Sequence, residues 1–438
     1  MKFTFKGGIH PYEGKELTEE KDVIDYLPQG DMVYPLSQHI GAPAKPIVKK
    51  GDRVLAGQLI AEAAGFVSAN IHASVSGTVK TIEPRLTSSG SKVNSIIIEN
   101  DKQYETLAYT PNDKPLDELT REEVIDAIQK AGIVGMGGAG FPTHVKLSPK
   151  NLDDIDFIIV NASECEPYLT SDYRRIIDDS DKVIEGLRIV LAIFPNAQGI
   201  IAVEDNKPKA IKLLQDKLAG DARIRVNAMP TKYPEGAERQ LIFANTGRYI
   251  NSSMLPADAG CIVHNVDTVY AIYEAVREGK PLTERLVTVS GDAIKNPCNI
   301  RMKIGTNYQE LIDCAEGFSK DPAKLVAGGP MMGKAIYTTD IPATKSSSAI
   351  LALSEDAVAE MEPSACIRCG RCIEVCPGRV MPNKLATLAA RNDIDAFVKN
   401  NGMECCECGC CSYVCPARRH LTQMIAGTRK LVLANKKK

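Results

Sequence analysis

The feature that most constrains this chain is a cysteine run that occurs twice near its C-terminus. Cys366, Cys369, Cys372 and Cys376 follow C-x2-C-x2-C-x3-C and precede Pro377; Cys405, Cys408, Cys411 and Cys415 repeat that spacing and precede Pro416. A [4Fe–4S] cubane needs four thiolates converging from different directions, and this run is the one that ligates a pair of such clusters. In the two-cluster arrangement the fourth cysteine of each run serves the other cluster. The spacing therefore assigns one cluster to Cys366, Cys369, Cys372 and Cys415, and the other to Cys405, Cys408, Cys411 and Cys376. It predicts a carrier of single electrons. Each proline diverts the chain after the last ligand, and a helical stretch over Asn383–Lys399 joins the halves.

Zinc sites pair C-x-x-C knuckles at longer separation and do not call for a third cysteine at the same interval. Cys406 and Cys410 are surplus to the register and read as accessory thiols, while Cys165, Cys261, Cys298 and Cys314 are scattered and read as packing or loop residues.

At 438 residues the chain is too long for one core and suggests three or four domains. Its 53 basic and 55 acidic residues nearly cancel, so no global charge recommends nucleic acid as a partner. The 14 cysteines, mostly clustered, fit a reducing compartment better than a disulfide framework. Met1–His10 lacks the apolar core of a signal peptide, and apolar stretches such as Ile189–Phe194 are too short to cross a bilayer. The expectation is a soluble or peripherally bound chain. The basic end Lys436–Lys438 reads as a solvated terminus.

Residues 30–100 read as an all-β module, with short apolar runs (Pro46–Val48, Val54–Leu55, Ser95–Glu99) separated by glycine turns. The segments "IVKKGDRVLAGQLIAEA" and "IHASVSGTVKTIEP" resemble the two halves of a lipoyl-type barrel-sandwich, but Val67-Ser68-Ala69-Asn70 at the hairpin tip has no lysine to carry a cofactor. From Leu116 to about Glu278 helices (Arg121–Ala131, Ser180–Ile193, Lys207–Lys217) alternate with strands (Asp156–Val160, Gly199–Val203, Ile224–Ala228), which predicts a mostly parallel sheet. Thr283–Gly333 turns β-rich, and Thr338–Ser348 reads as the linker into the cysteine-rich domain.

Gly135, Gly137, Gly138 and Gly140 satisfy G-x-G-x-x-G, but the ordinary dinucleotide fingerprint follows a strand and opens a helix. Here a helix precedes the glycines and the strand comes after, so that fingerprint is rejected. What survives is a loop whose backbone N–H groups can closely approach a phosphate or a flat ring.

"GMGGAGFPTHVKL" at 135–147, "NASECEP" at 161–167 and "YPEGAERQL" at 233–241 form an ordered set. It resembles the flavin- and NADH-binding subunit of respiratory complex I. Joined to the N-terminal "SQHIGAPAKPIVKKGDRVLAGQLI" and the doubled cysteine run, residues 1–425 resemble the RnfC family, the C subunits of Rnf ion-translocating electron transport complexes. The resemblance implies a multidomain α/β and α+β chain. Its parts are a barrel-sandwich over 1–100, a Rossmann-like FMN/NAD(H) domain over 101–280, a small β-grasp (SLBB-like) domain over 281–340, and a helical ferredoxin-like domain over 341–438.

By the same resemblance, Gly135, Gly137, Gly138 and Gly140 lie under noncovalent FMN and Lys146 meets its phosphate. Asn161 and Glu164 hold the flavin ring and ribityl region, and Phe141 stacks on the adenine of the nucleotide. Glu166 and Glu238 line the nicotinamide side, Tyr233 and Gly236 belong to the third segment, and Asn265 in "HNVDT" to a fourth. The complex I pattern carries an arginine where Met136 stands, an acid at Ser163 and a glutamate at Ala237, so charge around the flavin is reduced here.

The implied activity is that of a ferredoxin:NAD+ oxidoreductase of the ion-translocating type. Electrons would pass between nicotinamide, FMN and two [4Fe–4S] clusters, with no side chain acting as acid or base in hydride transfer. The implied partners are the other Rnf subunits (the integral membrane subunits and the ferredoxin-like B subunit) and, indirectly, ferredoxin; the implied place is the cytoplasmic face of the membrane. A soluble reductase of the same architecture, such as a cobalamin reductase, shares these motifs, and a non-enzymatic electron relay would keep only the clusters. A flavin absorbance band bleached by NADH separates the enzyme from the relay, and a brown colour with acid-labile sulfide separates both from a zinc module.

Overall fold

The computed structural model describes residues 3–435; Lys436–Lys438 lie outside them. Residues 3–23 run as a strap across the α/β unit, where Ile9 pairs antiparallel with Tyr233, and end in β1 (Ile24–Asp25). Then come β2 (Met32–Pro35), β3 (Lys45–Pro46), β4 (Arg53–Val54), β5 (Leu59–Glu62), β6 (Ile71–His72), β7 (Gly77–Leu86) and β8 (Lys92–Asn100). They form the expected barrel-sandwich, a four-stranded sheet β2-β8-β7-β4 facing a three-stranded sheet β3-β5-β6. Inward-facing Met32, Val54, Ile60, Ile71, Ile96 and Ile98 make its core. Burying each such side chain contributes about 1.5–3 kcal/mol.

In α1 (Arg121–Lys130), Thr120 and Glu123 form a reciprocal capping box that fixes the first turn. The chain continues through α2 (Thr143–Lys146), β9 (Phe157–Ala162), α3 (Ser171–Ala192), β10 (Gln198–Glu204), α4 (Pro208–Lys217), β11 (Ile224–Met229), α5 (Glu238–Thr246), β12 (Cys261–Asn265) and α6 (Val266–Tyr273). The four strands are parallel in the order β11-β10-β9-β12. Strands are added on one side of β9 until β12 returns to its other side. The carboxyl ends of β9 and β12 thus frame a topological switch point, where open α/β sheets bind ligands. The helix expected from Ser180 begins nine residues earlier, at Ser171, with a non-helical Asp179 inside it. Its first turns are too polar to show an apolar period, and their charges are paired within the fold, Arg175 with Asp179 and Asp267.

The next domain holds β13 (Glu284–Ser290), β14 (Cys298–Lys303), α7 (Tyr308–Cys314), β15 (Lys324–Ala327), β16 (Lys334–Ile336) and β17 (Ala349–Leu353). Its six-stranded sheet runs β1-β14-β13-β17-β15-β16. Two expectations change here. The strand at 24–25 leaves the N-terminal unit and pairs in parallel with β14, Ile24 opposite Ile300. Thr338–Ser348 is not a linker, because β17 is an interior strand between β13 and β15, and Ile341, Ala343 and Lys345 just before it are buried. Ala357–Cys369, exposed throughout, makes the actual passage to the cysteine-rich domain.

That domain contains α8 (Arg371–Glu374), α9 (Pro382–Ala390), α10 (Ile394–Lys399), α11 (Cys410–Tyr413) and α12 (Leu421–Asn435). The single helix expected over Asn383–Lys399 is broken at Arg391–Asp393, where Asn392 turns left-handed (φ 52°) and Asp393 caps α10. Among the described residues no helix is long and apolar enough to cross a membrane.

Lys345 ties three of these units together. Its Nζ donates to Gly132 O at 2.7 Å, just before the glycine loop, and to Asn70 O at the barrel-sandwich tip. Burial pulls its ammonium down to about 7. Between pH 7 and lysine's ordinary 10.5 the folded chain therefore binds fewer protons at this site than the unfolded one, so folding is favoured as pH rises. Lys345→Met should destabilise the fold by about 1–3 kcal/mol per carbonyl left unpaired. In thermal unfolding, the gap between wild type and variant should widen from pH 7 to pH 10, and a constant gap would contradict this ionisation.

Candidate functional site

The glycine loop sits over the switch point. It is closed by Gly135 N donating to Phe141 O at 2.8 Å and anchored by Met136 N donating to Thr268 Oγ1 at 3.0 Å on α6. A Cβ on Gly137 would lie 2.9 Å from that of Asn265 at the end of β12, so only glycine lets the loop descend this far. Gly140 has φ 70° and would press a Cβ to 3.0 Å from Gln38 O of the barrel-sandwich. Gly137, Gly138 and Ala139 are exposed, and a Cβ on Gly138 would meet nothing within 4 Å. The loop is thus pinned at both ends and open in the middle, as a cradle for a flat or phosphorylated ligand requires. The barrel-sandwich braces it: Ile40 N donates to Gly140 O at 3.2 Å, and Phe66 O bonds His144 Nε2 on α2 at 3.0 Å.

Most of the site residues expected from sequence converge around this cradle. Asn161 at the end of β9 donates through Nδ2 to Gly236 O at 2.8 Å. A Cβ on Gly236 would sit 3.3 Å from Asn161, Ser163 and Cys165 at once. Asn265 caps α6 by accepting from Asp267 N at 2.9 Å and donates to Asp172 at 2.6 Å. Lys146 Nζ donates to Val263 O at 2.8 Å and lies 3.4 Å from the exposed Glu238 carboxylate. Ser163 Oγ is buried without a hydrogen-bond partner beside Gly236. An open glycine cradle, a half-buried cation and an orphaned hydroxyl at a switch point form a donor set that fits a flavin nucleotide.

Three expected residues are engaged elsewhere. Glu164 is left-handed (φ 51°), and its carboxylate accepts from Asp172 N at 2.7 Å and Tyr173 N at 3.3 Å, capping α3. Glu166 accepts from Met331 N at 3.0 Å and Met332 N at 2.9 Å in the turn after β15, so it clamps the neighbouring domain. Burial pushes both carboxyls up to about 7. Tyr233 is buried, and its hydroxyl donates to Cys408 O at 2.7 Å in the cysteine-rich domain.

The eight cysteines of the repeat sort into two rings. Cys366, Cys369, Cys372 and Cys415 line one pocket; Cys376, Cys405, Cys408 and Cys411 line a second, together with Cys406 and Cys410. The crossing of the fourth cysteine is therefore present in the fold. The two halves repeat the same backbone turn: Arg368 and Glu407 are left-handed (φ 58° and 57°), then Gly370 and Gly409 (φ 81° and 84°), each followed by a one-turn helix. Among the described residues no three His, Cys, Asp or Glu side chains converge as for one metal ion. Four thiols from a doubled C-x2-C-x2-C-x3-C run lining one pocket are the donor set a [4Fe–4S] cubane takes.

Sequence reasoning missed the cations beneath the site. Lys15 of the strap is buried and donates to Glu164 O (2.8 Å), Glu166 O (3.2 Å) and Leu169 O (2.7 Å). Lys207, also buried, donates to Ser163 O at 2.8 Å. Neither lies in a recognisable motif; a lysine in an otherwise unremarkable turn carries no sequence signal for burial. Asp172 was missed as well, since only the early start of α3 brings it to Asn265. Burial, with Asp267 nearby, pushes Asp172 up to about 6.

Comparison with known proteins agrees with this layout. Residues 128–274 match the Nuo51 FMN-binding domain, 3–103 the RnfC barrel sandwich hybrid domain, 286–335 the SLBB domain and 359–381 a 4Fe-4S binding domain. The chain is 46% identical, over 89% of its length and 85% of the relative's, to the C subunit of a proton-translocating ferredoxin:NAD(+) oxidoreductase complex of Clostridium ljungdahlii. It is 45% identical to the C subunit of the Na(+)-translocating ferredoxin:NAD(+) oxidoreductase complex of Acetobacterium woodii, over 99% of this chain and 98% of that one. It is 41% identical to the C subunit of the ion-translocating oxidoreductase complex of Rhodobacter capsulatus, over 91% and 77%. Among solved structures, an NAD+-reducing [NiFe]-hydrogenase in the H2-reduced state aligns with TM-score 0.49 at 16% identity, over 74% of this chain and 62% of that chain.

Lys146, expected from the family resemblance to meet the flavin phosphate, is a half-buried cation whose Nζ donates to Val263 O. Lys146→Met should weaken FMN binding by about tenfold to a hundredfold, the loss of one charged hydrogen bond, while iron and sulfide content stay unchanged. Fluorescence titration of FMN measures this, and an unaltered affinity would remove Lys146 from the phosphate site.

Proposed function

The chain belongs to the RnfC family, the C subunits of ion-translocating oxidoreductase complexes, and from that premise we propose that it exchanges electrons with nicotinamide on behalf of a ferredoxin:NAD+ oxidoreductase. FMN held in the glycine cradle would supply two-electron exchange with NAD(H) and one-electron exchange with iron–sulfur clusters, which is why a flavin would belong between the two. The residues of this chain hold and orient: the loop Gly135–Gly140 and Lys146 seat the nucleotide, Asn161 and Asn265 fix the floor, and the two cysteine rings hold the clusters. No side chain acts as acid or base in the hydride step. The partners under this reading are the integral membrane subunits, the ferredoxin-like B subunit and, through them, ferredoxin, with the chain peripheral on the cytoplasmic face.

One observation carries the reading. The "YPEGAE" segment of the flavin site abuts the ring of Cys376, Cys405, Cys408 and Cys411, through Tyr233 on Cys408 O and through a cluster of Tyr233, Cys165, Met331 and Cys408. Arg239 adds an ion pair to Glu404 at 3.0 Å, and Gly8 N donates to Val375 O at 2.8 Å. The other ring faces outward, with Cys366 and Cys369 exposed and Ile367 67% exposed between them. This supports an order in which the inner ring stands next to the flavin and the outer ring meets a partner chain.

The chain should be reconstituted anaerobically with iron, sulfide and FMN and titrated with NADH under absorbance and EPR. Flavin bleaching followed by two cubane signals is expected. With Cys405 and Cys408 both changed to Ala, the outer cluster should remain reducible by dithionite but no longer by NADH. Native-rate reduction of that cluster by NADH would overturn the order; two clusters indifferent to NADH in the wild type would overturn the function.

A further inference from the structure

The two cysteine rings differ in the charge around them. No Asp, Glu, Lys or Arg lines the inner pocket, whereas Arg368 and Arg419 line the outer one. Arg371 and Arg418 adjoin lining residues in the same two segments, 366–376 and 415–421, where Glu374 is the one acid. Arg368, Arg371 and Arg418 are exposed, and Arg419 is half-buried. The doubled turn makes the contrast direct. Its left-handed third position is Glu407 in the inner half, and Glu407 pairs with Arg429 of α12. Glu404, just before that run, pairs with Arg239. The same left-handed position in the outer half is Arg368. Among the described residues, none of the four arginine side chains has an ion-pair or hydrogen-bond partner.

Single unpaired arginines are ordinary on a protein surface, but four around one pocket, in a chain of formal net charge −2, are a local excess. Ile367, 67% exposed, stands among them. An apolar centre with a charged rim is the anatomy of a protein–protein contact, in which arginine is enriched. A guanidinium fork pairs with a carboxylate through two parallel hydrogen bonds. An anionic lipid surface draws lysine and arginine alike, yet no lysine lines this pocket. We propose that this face is the docking site of an acidic protein that carries single electrons, whose carboxylates meet Arg368, Arg371, Arg418 and Arg419. The proposal rests on the reading that the outer ring holds a cluster and meets a partner chain, and it names that partner's chemistry. Exposed charges of this kind govern how fast a partner arrives more than how tightly it stays.

The full chain, reconstituted with iron, sulfide and FMN, is immobilised as wild type, as the Arg368→Gln/Arg418→Gln pair and as the Arg368→Lys/Arg418→Lys pair. Each is first assayed for iron and acid-labile sulfide. The probes are a small, acidic, oxidised ferredoxin and vesicles of mixed phosphatidylglycerol and phosphatidylcholine, with binding read by surface plasmon resonance at low and high salt. Wild type lacking the iron for two cubanes would reject the cluster reading, and the proposal with it. With both clusters present, the wild type should bind the ferredoxin, and its association rate should fall steeply as salt rises. The Gln pair should keep its iron and associate about tenfold more slowly at low salt, while the Lys pair, which retains both charges, should stay within about threefold of wild type. Ferredoxin binding that is absent, or equal in wild type and the Gln pair, would overturn the proposal and leave the clusters standing. Vesicle binding lost in the Gln pair, without ferredoxin binding, would also overturn it and make the face a membrane contact.

Discussion

Four carbonyls in the loop that follows β9 point inward and need donors, and two buried ammonium groups supply them. Lys207 serves Ser163 O, and Lys15 serves Glu164 O, Glu166 O and Leu169 O. Unpaired buried carbonyls are costly, so this arrangement decides where the loop can go. Much else is attached to it. The strap lies across the α/β unit because Lys15 must reach the loop, the Glu164 carboxylate is thereby aimed at the start of α3, and Glu166 is left free to take the amides of Met331 and Met332. The neighbouring sheet and the flavin cradle are positioned by one short stretch of backbone.

The parts of the fold that the sequence displayed were those set by local spacing. Eight cysteines at fixed intervals foretold both rings and the crossing between them, since cubane ligation leaves few alternatives. The glycine loop, and the placing of Asn161, Gly236 and Lys146 around it, were legible because each segment carries a contiguous pattern. What stayed hidden was held by long-range pairing. The two-residue β1 has no periodicity to detect, and its partner β14 lies far along the chain. Thr338–Ser348 looked like a linker because its Thr and Ser content resembles a loop, although Ile341, Ala343 and Lys345 are buried and it leads into the interior strand β17. Glu164 and Glu166 occupy expected positions, but their carboxylates are spent on backbone amides, a role that depends on the αL turn at Glu164 and on a turn in another domain.

The site therefore presents little net charge of its own. The arginine, acid and glutamate of the resembled pattern are absent at Met136, Ser163 and Ala237, while Glu164 and Glu166 are spent on backbone amides and burial pushes both carboxyls and that of Asp172 up. Under the flavin reading, recognition would fall to backbone N–H groups of the glycine loop and to Lys146. The loop's neutral, oriented backbone dipoles would hold a ligand by shape and hydrogen bonding, and they are little screened by salt.

The six-stranded sheet has its edge strand at residues 24–25 and an interior strand at residues 349–353. A sheet whose strands are so widely separated in sequence has a high contact order, which slows its formation. On the ribosome, the passage Ala357–Cys369 and both cysteine runs emerge only after the last strand of that sheet has been made. Cluster assembly on these thiols can therefore begin only once every strand of that sheet has been synthesised. Nor can the cysteine-rich domain be cut free upstream of residue 354 without pulling a central strand from its neighbour.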